Sequence, residues 1–263
     1  MNGKLLLTFI FAILTNFVFS VEKDKNVDNS YKENNSNSWN SNLGATILIQ
    51  NNTNFPGTGF LLQSQKPSNN WLFIYHDRWG VTENVKMDAY SLWRDLKNVN
   101  VLVIDLNNGL HPSNNKEAIQ IIQNSDTTRN RNLIAGAIKL AGPDANIASM
   151  GWCYGGSWAM QSAIQAASHN VGCVVYYGMP EFDTSKLKDL SSEVFAIFGD
   201  RDTYITESIR SKFQSSMGQA GKQLIQKDYH TSGEFANRNS ENYNFSLAAN
   251  AYSQVLTYLA SKY

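Results

Sequence analysis

The sequence predicts an α/β protein, a mostly parallel sheet covered by helices on both faces. Short runs such as Trp71–Tyr75, Val99–Leu106 and Val171–Tyr177 are apolar throughout rather than alternating, as strands buried on both faces are. The stretches between them carry helical spacing. In Glu83–Lys97, Val85, Ala89, Leu92, Trp93 and Leu96 share one face. Finally, Ile147–Met150 leads into Gly151-Trp152-Cys153-Tyr154-Gly155-Gly156 and then a helical pattern. That reads as strand, sharp turn and helix, with Cys153 at the apex. Glycines on both sides suit a turn whose flanks approach neighbouring backbone too closely for a Cβ.

Length and composition set the bounds. The chain has 263 residues, 42% hydrophobic and 12% aromatic, enough for one sizeable core. It carries 22 basic and 22 acidic residues and no basic block. Nothing in that balance favours nucleic acid or an anionic membrane surface. Residues 1–20 read as a secretory signal: Lys4, then the apolar run Leu5–Phe19, with small residues before a cleavage site after Ser20. Residues 21–42 are rich in Asn, Ser, Lys, Asp and Glu and form a disordered linker. Residues 43–263 form the folded domain. Asn34, Asn51 and Asn244 match the glycosylation pattern, as expected by chance in an Asn-rich chain.

Along the domain, Ala45–Gln50 and Gly59–Gln63 form a first pair of strands, and Trp71–Tyr75 is the next. The helix Glu83–Lys97 is followed by the strand Val99–Leu106. Asn114–Gln123 and Thr127–Leu140 are helical and end at Gly142-Pro143. Beyond the elbow, Val171–Tyr177, Glu193–Phe198 and Lys222–Asp228 are strands; Thr206–Gln219 and Ser246–Ser261 are helices. Function in such sheets collects in the loops after the carboxyl ends of the strands.

Gly-x-Cys-x-Gly is the nucleophile elbow with Cys in place of Ser, or else a glycine turn around a buried cysteine. A thiolate nucleophile needs an imidazole and an acid that orients it. In the order nucleophile, acid, histidine, only His230 comes late enough among the four histidines. Between them, Gly199-Asp200-Arg201-Asp202 follows a strand and offers two aspartates. Cys173, in an apolar strand, is expected to be an unpaired hydrophobic residue. Two cysteines without metal-ligand spacing give no zinc signal.

These blocks, with Tyr229-His230, resemble the active-site blocks of the dienelactone hydrolase family, α/β-hydrolases with a Cys-Asp-His triad. Tyr75-His76-Asp77-Arg78-Trp79-Gly80 resembles the family's His/Gln-Glu-x-x-Gly loop. The resemblance runs from about Gly44 to the C-terminus. It implies an α/β-hydrolase fold of about eight strands and a triad of Cys153, Asp202 and His230. It also implies an oxyanion hole from the backbone N–H groups of Tyr154 and Arg78. Asp77 takes the place of a Glu that modulates the nucleophile. Tyr154, Trp79 and Arg238 become candidate substrate-binding residues. The following helix is expected to help lower the thiol pKa.

The chain departs from the family in three places. Thr231-Ser232-Gly233-Glu234 is inserted before Phe235-Ala236-Asn237. Asn107 stands where the lactone hydrolases carry a carboxylate-binding arginine, and Arg238 is one position out of register with a second such site. The signal segment is unusual for the family. The reading is a secreted or periplasmic monomer that cleaves a small-molecule ester, lactone or thioester. It needs no metal or cofactor and no nucleic-acid or membrane partner. Non-enzymatic ligand binding and thiol sensing are the alternatives.

Overall fold

The computed structural model describes residues 44–51 and 56–263. The expected signal segment, the linker and the tip of the first loop lie outside the described residues. Eight strands form one sheet: β1 (Ala45–Ile49), β2 (Gly57–Leu62), β3 (Asn70–Tyr75), β4 (Asn100–Ile104), β5 (Asn146–Trp152), β6 (Asn170–Tyr176), β7 (Val194–Gly199) and β8 (Leu224–Tyr229). Their spatial order is β1-β2-β4-β3-β5-β6-β7-β8. β1 with β2, and β2 with β4, are antiparallel. All pairings from β4 to β8 are parallel.

The continuous apolar strands behave as their composition requires. β4 is buried along its whole length, as is β7, because helices cover both faces. One apolar layer joins Leu72, Ile74 and Val101 to Leu92 and Val255. On the other face Phe73, Tyr75 and Leu102 meet Leu133 and Trp158. The long helices are α1 (Glu83–Leu96), α2 (Asn115–Gln123), α3 (Thr127–Ala141), α4 (Tyr154–Ala166), α6 (Glu207–Gln219) and α7 (Phe245–Ala260). Side-chain caps start several of them: Thr82 accepts from the N–H of Val85, Asn114 from Glu117, Asp126 from Thr128 and Asn244 from Leu247. One short helix, α5 (Thr184–Leu187), was not expected. Asp183 caps it, and the segment is too polar and short for periodicity to reveal.

The chain leaves β3 toward β4 on one side and β5 toward β6 on the other. This reversal puts the crevice of the sheet at the carboxyl ends of β3 and β5, where Tyr75 pairs with Gly151. The candidate residues Asp77, Arg78 and Cys153 follow directly.

Candidate active site

The turn after β5 has the geometry its glycines suggest. Cys153 sits at φ 53°, ψ −116°, a backbone region that costs energy for a residue with a Cβ and clusters at functional sites. A Cβ on Gly155 would lie 2.2 Å from the Tyr75 carbonyl oxygen and 2.3 Å from that of His76. The elbow and the loop after β3 are thus in backbone contact. The Cys153 N–H donates to the Tyr176 carbonyl at 2.9 Å, and α4 starts at the next residue.

Cys153 opens onto a cleft of about 300 Å³. Ile119, Ile122, Tyr154, Met179 and Ile205 make much of it apolar, while Arg78, Asp202 and Glu234 bring charge. Burial pushes the Cys153 thiol up to about 12; Glu234 and Asp77 raise it further, and Arg78 and the Tyr154 N–H act in the opposite direction. The Tyr154 N–H at the helix start acts in the expected direction, and burial is the larger of the two effects.

Glu234, which lies in the insertion after His230, forms a two-pronged ion pair with Arg78. Nη1 meets Oε1, and Nη2 donates to Oε2 at 3.3 Å. Arg78 Nε also donates to Asn115 Oδ1 at 3.2 Å. Asp77 is buried beneath this pair and accepts from the Trp79 N–H at 2.9 Å and from Asn237 Nδ2 at 3.0 Å. Burial raises its pKa. His76 is fully buried. Its Nε2 accepts from the Leu106 N–H at 3.0 Å, which assigns the ring proton to Nδ1, donating to the Asp77 carbonyl at 2.6 Å. Asn107 Nδ2 reaches the Arg78 carbonyl at 3.4 Å, so it braces the loop that carries the expected oxyanion donor.

The three expected triad members are not assembled. Asp202 lines the cleft with Cys153, but its Oδ1 accepts from the N–H groups of Tyr204 at 2.7 Å and Ile205 at 3.2 Å. His230 is exposed, with 72% of its side chain open to solvent, and is not among the residues lining the cleft. Its Nδ1 bonds Asp200 Oδ2 at 2.8 Å and its Nε2 contacts Arg201. The expected Asp202–His230 pairing is thus replaced by Asp200–His230. The insertion explains this: a Cβ on Gly233 would lie 2.3 Å from Asp202 Oδ2, so Gly233 backbone occupies the space beside that carboxylate. Two candidate substrate contacts also fall elsewhere. Arg238 pairs with Asp88 in a separate hollow beside α1 and α7. Trp79 packs under the Arg78 guanidinium at 5.2 Å and does not line the Cys153 cleft. Tyr154 does line it, its hydroxyl bonded to Ser125 at 2.9 Å and Asn130 at 3.2 Å.

Sequence reasoning missed Glu234 and Tyr177. The signal for Glu234 was its place in an insertion next to His230. Tyr177 carried no signal, because its positive φ and its isolated hydroxyl exist only in the fold. Among the described residues no group of three or more His, Cys, Asp or Glu side chains could hold a metal ion, and no helix is long and apolar enough to cross a membrane.

Sheet order, elbow and switch-point cleft together define an α/β-hydrolase. Residues 58–262 match the dienelactone hydrolase family. The chain belongs to that family. No curated protein matches it. Among solved structures it is similar to a dienelactone hydrolase-like promiscuous phosphotriesterase from metagenomic libraries (TM-score 0.70, 14% identity, covering 84% of this chain and 99% of that one). Similar too are the dienelactone hydrolase from Anabaena variabilis (0.59, 15%, 83% and 95%) and a hyperthermophilic esterase from the archaeon Pyrobaculum calidifontis (0.59, 14%, 83% and 85%). At these identities the likeness is one of fold.

Proposed function

We propose that this hydrolase cleaves an ester, lactone or thioester of a small molecule through an acyl-Cys153 intermediate. The observation that carries this reading is the positive-φ elbow, which holds the Cys153 thiol at the floor of a cleft that Asp202 also lines. His230 takes the thiol proton as the sulfur attacks the carbonyl carbon. The backbone N–H groups of Tyr154 and Arg78 hold the oxyanion. When the carbon–leaving-group bond breaks, His230 returns the proton to the departing atom. It then deprotonates the water that hydrolyses the acyl-enzyme.

His230 works in this scheme after the 231–234 segment moves. Release of the Arg78–Glu234 pair withdraws Gly233 from Asp202, and the imidazole takes its place there. Asp202 is the orienting acid because its surroundings are largely shielded, whereas Asp200 faces solvent, where a charge pair is worth little. The run Leu5–Phe19 supports export to the periplasm or outside the cell, and N-terminal sequencing of the mature protein tests it.

The main test compares wild type with Cys153→Ala and His230→Ala on short-chain aryl esters and thioesters. Turnover by the wild type and at least a hundredfold loss in both variants is expected. A wild type that forms no Cys153 acyl adduct, read by intact mass, overturns the reading.

A further inference from the structure

Tyr177 stands directly after β6 with φ 39°, a strained conformation for a residue with a side chain. Its N–H donates to the Ile197 carbonyl at 2.7 Å. The ring is gripped edge-to-face by Tyr176 (centroids 5.9 Å apart, 74°) and Phe235 (5.9 Å, 66°). The residue is 4% exposed and lines the Cys153 cleft, yet its hydroxyl has no hydrogen-bond partner among the described residues. A buried hydroxyl without a partner is destabilising, so nearly all find one. One that is held rigidly at a cleft is suited to a partner that arrives with the ligand.

The sheet order says which part of the ligand that is. The expected oxyanion donors, Arg78 and Tyr154, belong to the ends of β3 and β5. Tyr177 belongs to β6, on the opposite side of Cys153 and toward β7 and β8, which carry Asp202 and His230. An acyl oxygen held by those donors would face the first side, which leaves the second to the departing group. Resting on the acyl-Cys153 reading, we propose that the Tyr177 hydroxyl donates a hydrogen bond to the leaving-group atom of the substrate. Burial, and the nearby carboxyls of Glu234 and Asp77, hold the phenol well above its ordinary pKa, so it remains a donor throughout the working pH range. No proton leaves Tyr177 in this step. The carbon–oxygen bond breaks, His230 supplies the proton, and the phenol stabilises the charge that develops meanwhile.

Tyr177→Phe removes the donor and keeps the ring. The expected result is a loss of about tenfold to hundredfold in kcat/KM on an alkyl ester, whose leaving group needs assistance. On a p-nitrophenyl ester of the same acid the loss is expected to be within about twofold, because nitrophenolate departs unaided. The unfolding temperature stays level or rises, since an unpaired buried hydroxyl has been deleted. Equal losses on both esters, no loss on either, or a fall in unfolding temperature would overturn the proposal. Failure of the hydrolase reading is seen separately: the wild type then gives no Cys153 adduct with the p-nitrophenyl ester.

Discussion

Replacing Glu234 by Gln should make Cys153 more reactive. The thiol stands at about 12, so at pH 8 about one molecule in ten thousand carries the thiolate. Burial dominates that value, and the Glu234 carboxylate is the largest nearby charge that raises it. At an effective dielectric of about 20, an interaction of about 2 kcal/mol, half that of two unit charges about 4 Å apart, corresponds to about 1.5 pKa units. Losing the Glu234 charge therefore multiplies the thiolate by about thirty. A less basic thiolate is also a weaker nucleophile, so the net gain in rate is about fivefold to tenfold. The assay is iodoacetamide labelling of Cys153 between pH 7 and 9, followed by intact mass. Cys173, fully buried and unpaired, is the internal control and stays unlabelled in the native protein. Arg78→Met should act in the opposite direction and slow labelling, since the guanidinium favours the thiolate. An unchanged or slower rate in Glu234→Gln would refute the electrostatic account of the resting thiol.

Other substitutions test the supporting structure. Gly155→Ala drives a methyl into the Tyr75 and His76 carbonyls and should cost about 3 kcal/mol in urea denaturation; a neutral result would mean the elbow can shift. Asp202→Asn should lower kcat/KM by about a hundredfold or more while Asp200→Asn leaves it within about threefold; the reverse would make the exposed Asp200–His230 pair the working one. Asp105 accepts hydrogen bonds from the N–H groups of Asn107 and Gly109 and from the Thr58 hydroxyl, and Asp105→Ala should cost about 2–3 kcal/mol at pH 7. Burial raises the Asp105 pKa, but the N–H groups of Asn107 and Gly109 act in the opposite direction, and the balance lies below the ordinary 3.8. Its contribution is therefore complete above that value and is lost as pH falls through the lower folded value. The stability gap between wild type and variant should close in that acid window; a gap unchanged there would refute the ionic contribution.

Fold and site differed in how far they could be read from sequence. The parallel core was legible because strands buried on both faces must be apolar throughout, as in Val101-Leu102-Val103-Ile104. The elbow was legible because Gly151 and Gly155 have no alternative at their contacts with backbone. The orientation of His230 was not. It depends on where a four-residue insertion sends Gly233 and Glu234, and the Glu234 partner, Arg78, is 156 residues away. Nor could sequence weigh a helix end against desolvation at Cys153. The first was visible as chain order; the second depends on how much protein surrounds one sulfur atom.

The amide of Asn107 has a consequence for engineering. Its family counterpart is an arginine that grips a carboxylate, which invites the exchange Asn107→Arg as a route to lactone activity. Here, however, Asn107 is 4% exposed and its amide reaches the Arg78 carbonyl. An arginine there would give up that brace and place a charged group at a buried position. Asn107 is not among the residues that line the cleft, so the exchange would act through the position of the Arg78 backbone, which carries the expected oxyanion donor, and not by touching the substrate.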